Sequence, residues 1–368
     1  MTPYIFMIVI WFALYYYLLY QTKGLTEESI DRRKKIFVGL AGTVLFVIMG
    51  LRSRYVGVDT SRYVTIFQSS PYYQWKYILR PENIREQEIG FKLYNTLLYK
   101  LRFSDQMYLI LYAFLITFGV SKQILKYCKN PFLGFYLHTT IGLFTMSMSG
   151  IRQSLACVII WMAIDCILEK KPVRYFLTVI VASLFHQSAI FMVVFYFARY
   201  IKIKKDTGWM LALFSVACIF LRPLFTPILG YFLPEKYEKY GLVTEKYSIN
   251  PGVVLIALLI PIFCLFFWER HKLKNEKEEQ FCSLCYAGSF CYAIVAVLSL
   301  SSQAINRMSQ YFYIFNVILL GNIIEEIDDW KTRTIAFMFA IILPGYMFFK
   351  SMSLGIAPYY FFWEIYGM

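Results

Sequence analysis

The fold class predicted for this 368-residue chain is all-α: a polytopic membrane protein of about twelve transmembrane helices. Three observations predict it. The residues are 59% hydrophobic and only 16% charged, against about 25% charged in an ordinary soluble domain. The apolar residues gather into runs near the roughly 20 needed to cross a bilayer core, with about 17 tolerated. Lys and Arg fall in short clusters between those runs, the pattern of cytoplasmic connections in such proteins. The net charge of +14 therefore belongs with a membrane. Nucleic acid as a partner is excluded, since it would need the basic residues along one polar face.

In order, the apolar runs cover 3–20, 36–51, 107–120, 131–148, 151–168, 173–184, 188–200, 208–221, 251–268, 281–300, 305–321 and 334–350. The first has neither a basic start nor a small-residue cleavage site, so it reads as a retained helix and not a signal peptide. No repeat or low-complexity segment interrupts the chain, and 1–368 reads as a single integral membrane domain. Placing the N-terminus outside puts a basic cluster in every short inner loop: 21–35, 121–130, 169–174, 199–205, 269–280 and 322–333. Both termini are then outside. The long outer loop 52–106 breaks the rule, carrying Arg52, Arg54, Arg62, Arg80 and Arg85. Arginine in excess on the outer side calls for a functional reason. Within this loop, Ile89, Leu93, Leu97 and Leu98 recur at helical spacing, with Lys92 and Asn95 on another face. That pattern predicts an interfacial or re-entrant helix over 86–99. The second outer loop, 222–250, is rich in Tyr and Lys and reads as interfacial.

The stretch 51–67 carries the densest chemistry. Arg52, Arg54, Tyr55, Asp59, Thr60, Arg62 and Tyr63 fall within a dozen residues. Guanidiniums match phosphate oxygens as planar forks and keep their charge when desolvated. With one carboxylate, two phenols and a hydroxyl beside them, they suit an anionic, sugar-bearing ligand. Anchoring to lipid headgroups at a helix end is the plainer reading of the same residues. Gly57 and the Asp59-Thr60 pair predict a bend. Three outer breaks between apolar runs add further polar groups: Arg152 and Gln153 in 147–154, His186, Gln187 and Ser188 in 183–188, and Arg307 in 301–310. A charged side chain at membrane depth costs about 2.5–3.5 kcal/mol, so Arg152 and Arg307 are either functional or reach headgroups by snorkelling. Imidazole is the side chain suited to proton transfer near neutral pH, which singles out His186. Of eight cysteines, Cys157, Cys166, Cys218, Cys264 and Cys291 lie within apolar runs, and Cys282 and Cys285, which open the run 281–300, have metal-like spacing without a second ligand pair. No metal site is predicted.

Arg52-x-Arg-Tyr-Val-Gly-x-Asp-Thr-x-x-Tyr63, Glu88-x-Gly90-Phe91, Gly150-x-Arg152-Gln153-x-x-Ala156 and Ser183-Leu-Phe-His186-x-Ser188-Ala189 together resemble the EpsG-type family. These are Wzy-like polymerases of bacterial exopolysaccharide, capsule and O-antigen. The resemblance is strongest over 35–200 and weaker to about residue 315. It implies polymerisation of undecaprenyl-diphosphate-linked oligosaccharide repeats on the outer face of the bacterial inner or plasma membrane, with no cofactor. The implied partners are the growing glycan, membrane lipids, and the chain-length regulator and flippase of the same pathway. Arg52, Arg54, Arg152 and Arg307 are then expected on the diphosphate, doing the work of a divalent ion. His186, Asp59 or Glu88 would accept the hydroxyl proton. Tyr55 and Tyr63 would stack on sugars, and Thr60, Arg62, Gln153, Gln187 and Ser188 would complete substrate binding. An O-antigen ligase-like transferase, an acyltransferase, and a transporter or flippase for lipid-linked sugar are the alternatives. Against a proton-coupled carrier, the clear acid within a span is Asp165, near a cytoplasmic end beside Lys170 and Lys171.

Overall fold

A computed structural model describes residues 2–20, 24–70, 88–232, 251–271, 273–301, 303–355 and 359–364. Arg80, Arg85 and residues 233–250, singled out above, lie outside the described residues. Among those described the chain is helical, and no strand forms beyond an isolated antiparallel bridge between Arg52 and Phe361.

Among the described residues six helices are long and apolar enough to cross a membrane: Thr2–Tyr20, Asp105–Tyr127, Ile151–Leu168, Lys205–Leu224, Glu276–Leu298 and Trp330–Lys350. Pro172–Ser183 and Gly252–Phe266 are shorter apolar helices. The difference from about twelve arises because several apolar runs do not fold as one long helix. The run 131–148 is broken at Gly142, whose φ of +127° no ordinary side chain adopts readily, into Pro131–Thr140 and Leu143–Ser149. The run 188–200 is a series of single turns. The run 305–321 divides between Gln303–Ser309 and Tyr313–Glu326.

The chain divides into two compact units. The first comprises Met1–Met162, Val181–Gln187 and Gly345–Met368. It is built from α1 (Thr2–Tyr15), α2 (Glu27–Gly50), α3 (Thr60–Gln68), α4 (Ile89–Lys100), α5 (Asp105–Tyr127), the broken pair α6 (Pro131–Thr140) and α7 (Leu143–Ser149), and α8 (Ile151–Trp161). Packing of α2 along α5 is its main internal contact. Helix starts follow the sequence. Thr26 accepts the Ser29 N–H with Glu27 and Glu28 in the first turn of α2, Ser104 accepts from Met107, and Asn130 accepts from Leu133 with Pro131 opening α6. Trp11 is fully buried, and its indole N–H donates to the Ala41 carbonyl at 3.1 Å.

The second unit, Ala163–Ile180 and Ser188–Pro344, is organised around the buried helix Glu276–Leu298. At one end His271 lies between Glu326 (2.7 Å) and the Tyr286 hydroxyl (3.0 Å).

The helix predicted over 86–99 is α4, but its polarity runs opposite to that of a helix on a soluble domain. Lys92 and Asn95 are buried, and Leu93 and Leu97 are exposed. Leu93 and Leu97 outward, with Lys92 and Asn95 inward beside Phe91 and Leu98, suit a helix bounded by lipid on one side.

Candidate functional site

Two glycines fix the geometry of the site. After α2 ends, the chain turns: the Val56 N–H donates to the Ser53 carbonyl at 3.0 Å, and the Ser61 hydroxyl to the Arg54 carbonyl at 3.0 Å. Gly57 sits at φ +95°, and a β-carbon there would run into the Met148 carbonyl. The Thr60 hydroxyl donates to that same carbonyl at 2.7 Å, and the Val58 N–H donates to Ser149 Oγ at 3.1 Å. The loop after α2 is thereby fastened to the end of α7, three to four residues before Arg152. Gly90 makes the second close approach. A β-carbon there would meet Leu184 Cβ at 2.7 Å, and the Phe91 N–H donates to the Leu184 carbonyl at 3.2 Å. The start of α4 is therefore held against the segment that carries His186 and Gln187.

These contacts bring four pieces of chain together around one charge pair. Arg152 Nη1 donates to Glu88 Oε2 at 2.5 Å, and the Gln187 backbone N–H donates to Glu88 Oε1 at 3.4 Å. The guanidinium carbon lies 5.8 Å from the ring centroids of both Tyr63 and Phe91, which meet edge to face. The Glu88 side chain is 9% exposed and that of Arg152 20%. Desolvating such a pair costs several kcal/mol per ion, which mutual attraction only partly returns, so stability is a weak reason to keep it. Chemically the arrangement offers a proton acceptor, a fixed cation and two aromatic faces within one small volume.

The remaining predicted residues divide by surroundings. His186 is buried, with its N–H on the Ala182 carbonyl at 3.0 Å, next to the residue that caps Glu88. Gln153 is buried, whereas Gln187, Tyr55 and Arg62 are exposed. Asp59 is half-buried at the start of α3, its carbonyl accepting the Tyr63 N–H at 3.1 Å. Thr60 commits its hydroxyl to the backbone of the neighbouring turn. Arg54 pairs with Asp105 (3.3 Å), reaches Thr65 Oγ1 (3.3 Å), and lies near the Tyr55 ring. Arg52 stands apart from these: it is fully buried, with its guanidinium 5.7 Å from the Tyr112 ring centroid. Ser188 and Arg307 belong to the second unit, where Ser188 Oγ lies 3.0 Å from the Tyr311 hydroxyl and Arg307 is half-buried. Sequence reasoning missed Asp105, the Leu184 carbonyl and the phenols around Arg52. No local pattern marks a partner that folding delivers from a distant helix.

Among the described residues no group of three His, Cys, Asp or Glu side chains is placed to hold a metal ion, and all eight cysteines are free. Burial pushes the Cys128 thiol up to about 12, which removes it as a nucleophile.

Long apolar helices around a buried carboxylate–guanidinium pair define a helical membrane protein with an enclosed polar site. The chain belongs to the EpsG family, whose model matches residues 35–361, well beyond the four motifs. No curated protein and no solved structure is significantly similar to it. Membership points to a polysaccharide-polymerase-like, glycosyltransferase-like function on lipid-linked glycan.

Proposed function

We propose that this protein polymerises undecaprenyl-diphosphate-linked oligosaccharide repeats at the outer face of a bacterial inner or plasma membrane. In this reading both termini lie outside, and the Glu88–Arg152 pair faces outward. The observation that carries the proposal is that pair, 2.5 Å apart between the rings of Tyr63 and Phe91.

The acceptor sugar's hydroxyl oxygen attacks the anomeric carbon of the growing glycan. A C–O bond forms there as the bond to the lipid diphosphate breaks, and the diphosphate departs with the electron pair. Glu88 takes the hydroxyl proton. Losing its charge frees the Arg152 guanidinium as negative charge builds on the departing diphosphate, so Arg152 binds the transition state better than the ground state. Tyr63 and Phe91, both buried, hold the Arg152 guanidinium between their rings. Arg54 is a further cation for the diphosphate, Tyr55 and Arg62 are exposed contacts for the glycan, and His186, Gln187 and Gln153 complete the lining. General-base catalysis contributes about 10²–10⁴-fold, which sets the loss expected for Glu88→Gln.

The test is a glycan ladder from cells lacking the protein, complemented with wild type or Arg152→Ala. The expected result for the variant is loss of long chains, with single lipid-linked repeats still reaching the outer face. Repeats accumulating on the inner face would instead mark a flippase.

A further inference from the structure

Arg52 presents a different electrostatic situation from Arg152. A guanidinium has five N–H donors. Nη1 donates to the Met49 carbonyl at 2.6 Å, capping the end of α2, but Nε and Nη2 have no hydrogen-bond partner among the described residues. The Arg52 side chain is fully buried. The groups that interact with its charge are phenols: Tyr112, Tyr4, Tyr359 and Tyr108. Burial pulls this guanidinium below its ordinary basicity, and those phenols offset the effect only in part. Two of them have already committed their protons. The Tyr112 hydroxyl donates to the Ser147 carbonyl (2.7 Å) and that of Tyr359 to the Ile48 carbonyl (2.8 Å). The hydroxyls of Tyr4 and Tyr108 are buried and have no partner among the described residues. A buried guanidinium with two unpartnered nitrogens costs several kcal/mol.

We propose that Arg52, Tyr4 and Tyr108 form a buried oxyanion site, separate from the Glu88–Arg152 pair, which takes a phosphoryl group and is closed by the segment 359–364. The unpartnered guanidinium nitrogens can only donate and the two phenols can donate as well, which suits the acceptor oxygens of a phosphoryl group. The closure is visible in the backbone. The Ser53 N–H donates to the Tyr360 carbonyl at 2.8 Å and the Phe362 N–H to the Leu51 carbonyl at 3.0 Å, flanking Arg52 on both sides. Tyr359 packs edge to face on Tyr4, with centroids 5.5 Å apart. With Arg52 fully covered, an anion enters by displacing this strap. Identifying the anion as the acceptor repeat's lipid diphosphate, distinct from the departing one at Arg152, rests on the function proposed above, whereas the existence of the site does not.

The experiment is equilibrium binding of radiolabelled inorganic pyrophosphate to the full chain in phosphatidylcholine nanodiscs. Wild type is expected to bind one equivalent. Arg52→Gln should weaken binding at least tenfold, and the surface control Lys35→Gln should not change it. Tyr108→Phe keeps the ring and removes one donor, so it tests the site even where Arg52→Gln fails to fold; it should weaken binding several-fold. Tyr359→Ala should speed pyrophosphate entry and release about tenfold. Displacement by farnesyl diphosphate assigns the site to a lipid diphosphate, and displacement by added phosphatidylglycerol assigns it to a headgroup phosphate; either supports a phosphoryl site. Absence of binding, or binding indifferent to both Arg52→Gln and Tyr108→Phe, overturns it. Pyrophosphate bound through Arg52 by a protein that makes no polymer would leave this site standing and remove the polymerase reading.

Discussion

Arg152 and Glu88 are 64 positions apart in the chain and 2.5 Å apart in space. Each was legible as a candidate, one as an isolated charge at a membrane break and the other by its motif, but no sequence spacing announces their pairing. Removing one partner of a buried pair costs about 3–5 kcal/mol by stranding the other, so simple truncations confound folding with chemistry. The exchange Glu88→Arg with Arg152→Glu separates them. It should return folded yield, read by size-exclusion chromatography, towards wild type while the glycan ladder stays empty. A ladder restored along with yield would reduce the pair to a structural clamp. Arg152→Lys keeps the charge but loses the planar fork. It should abolish most polymer, an outcome that mere snorkelling does not predict. Arg52 and Arg54 looked equivalent in the sequence. They are not: Arg54 has a carboxylate at 3.3 Å, and Arg52 has phenols delivered by α1, α5 and residue 359.

At the scale of elements, helix starts are readable from local caps at Ser104, Asn130-Pro131 and Asn275, although the apolar runs alone set them at 107, 131 and 281. The direction α4 faces was not. Its apolar stripe is plain in the sequence, but whether that stripe turns to protein or to lipid depends on what surrounds it. Gly57 was read as a turn former, and its second duty, admitting the Met148 carbonyl, becomes visible only in three dimensions. Gly57→Ala should therefore combine a left-handed backbone penalty of about 1–2 kcal/mol with an overpacking cost of about 1–3 kcal/mol. Thermal unfolding in detergent should show a clear fall in Tm. Gly90→Ala carries only the second cost, through Leu184, and should lower Tm less while displacing Glu88 enough to reduce polymer length. Equal and negligible shifts for both would show that these approaches have slack.

At the scale of the molecule, composition was enough to establish an all-helical membrane protein. The number of crossings was not, because an apolar run gives the length of chain available but not whether a glycine or a series of short turns divides it. Sidedness is testable with single cysteines. Val58 is 76% exposed beside the candidate site, and Lys171 is exposed in a basic loop. In intact cells a membrane-impermeant maleimide should label Val58→Cys and spare Lys171→Cys. Six of the eight native cysteines are buried, which keeps the background low. The reverse pattern would invert the topology and with it the outer-face assignment.

The bond from Tyr359 to the Ile48 carbonyl spans 311 positions, which sets an order of events during synthesis. The arginine-bearing turn after α2 leaves the ribosome early, yet the wall around Arg52 stays open until residues 359–361 emerge. A nascent chain carrying the Glu88–Arg152 pair already holds its charges but still has an unfinished oxyanion pocket. Completion of the pocket is thus tied to translation reaching residue 359, and a product terminated before it would present the membrane with a guanidinium that this segment does not cover.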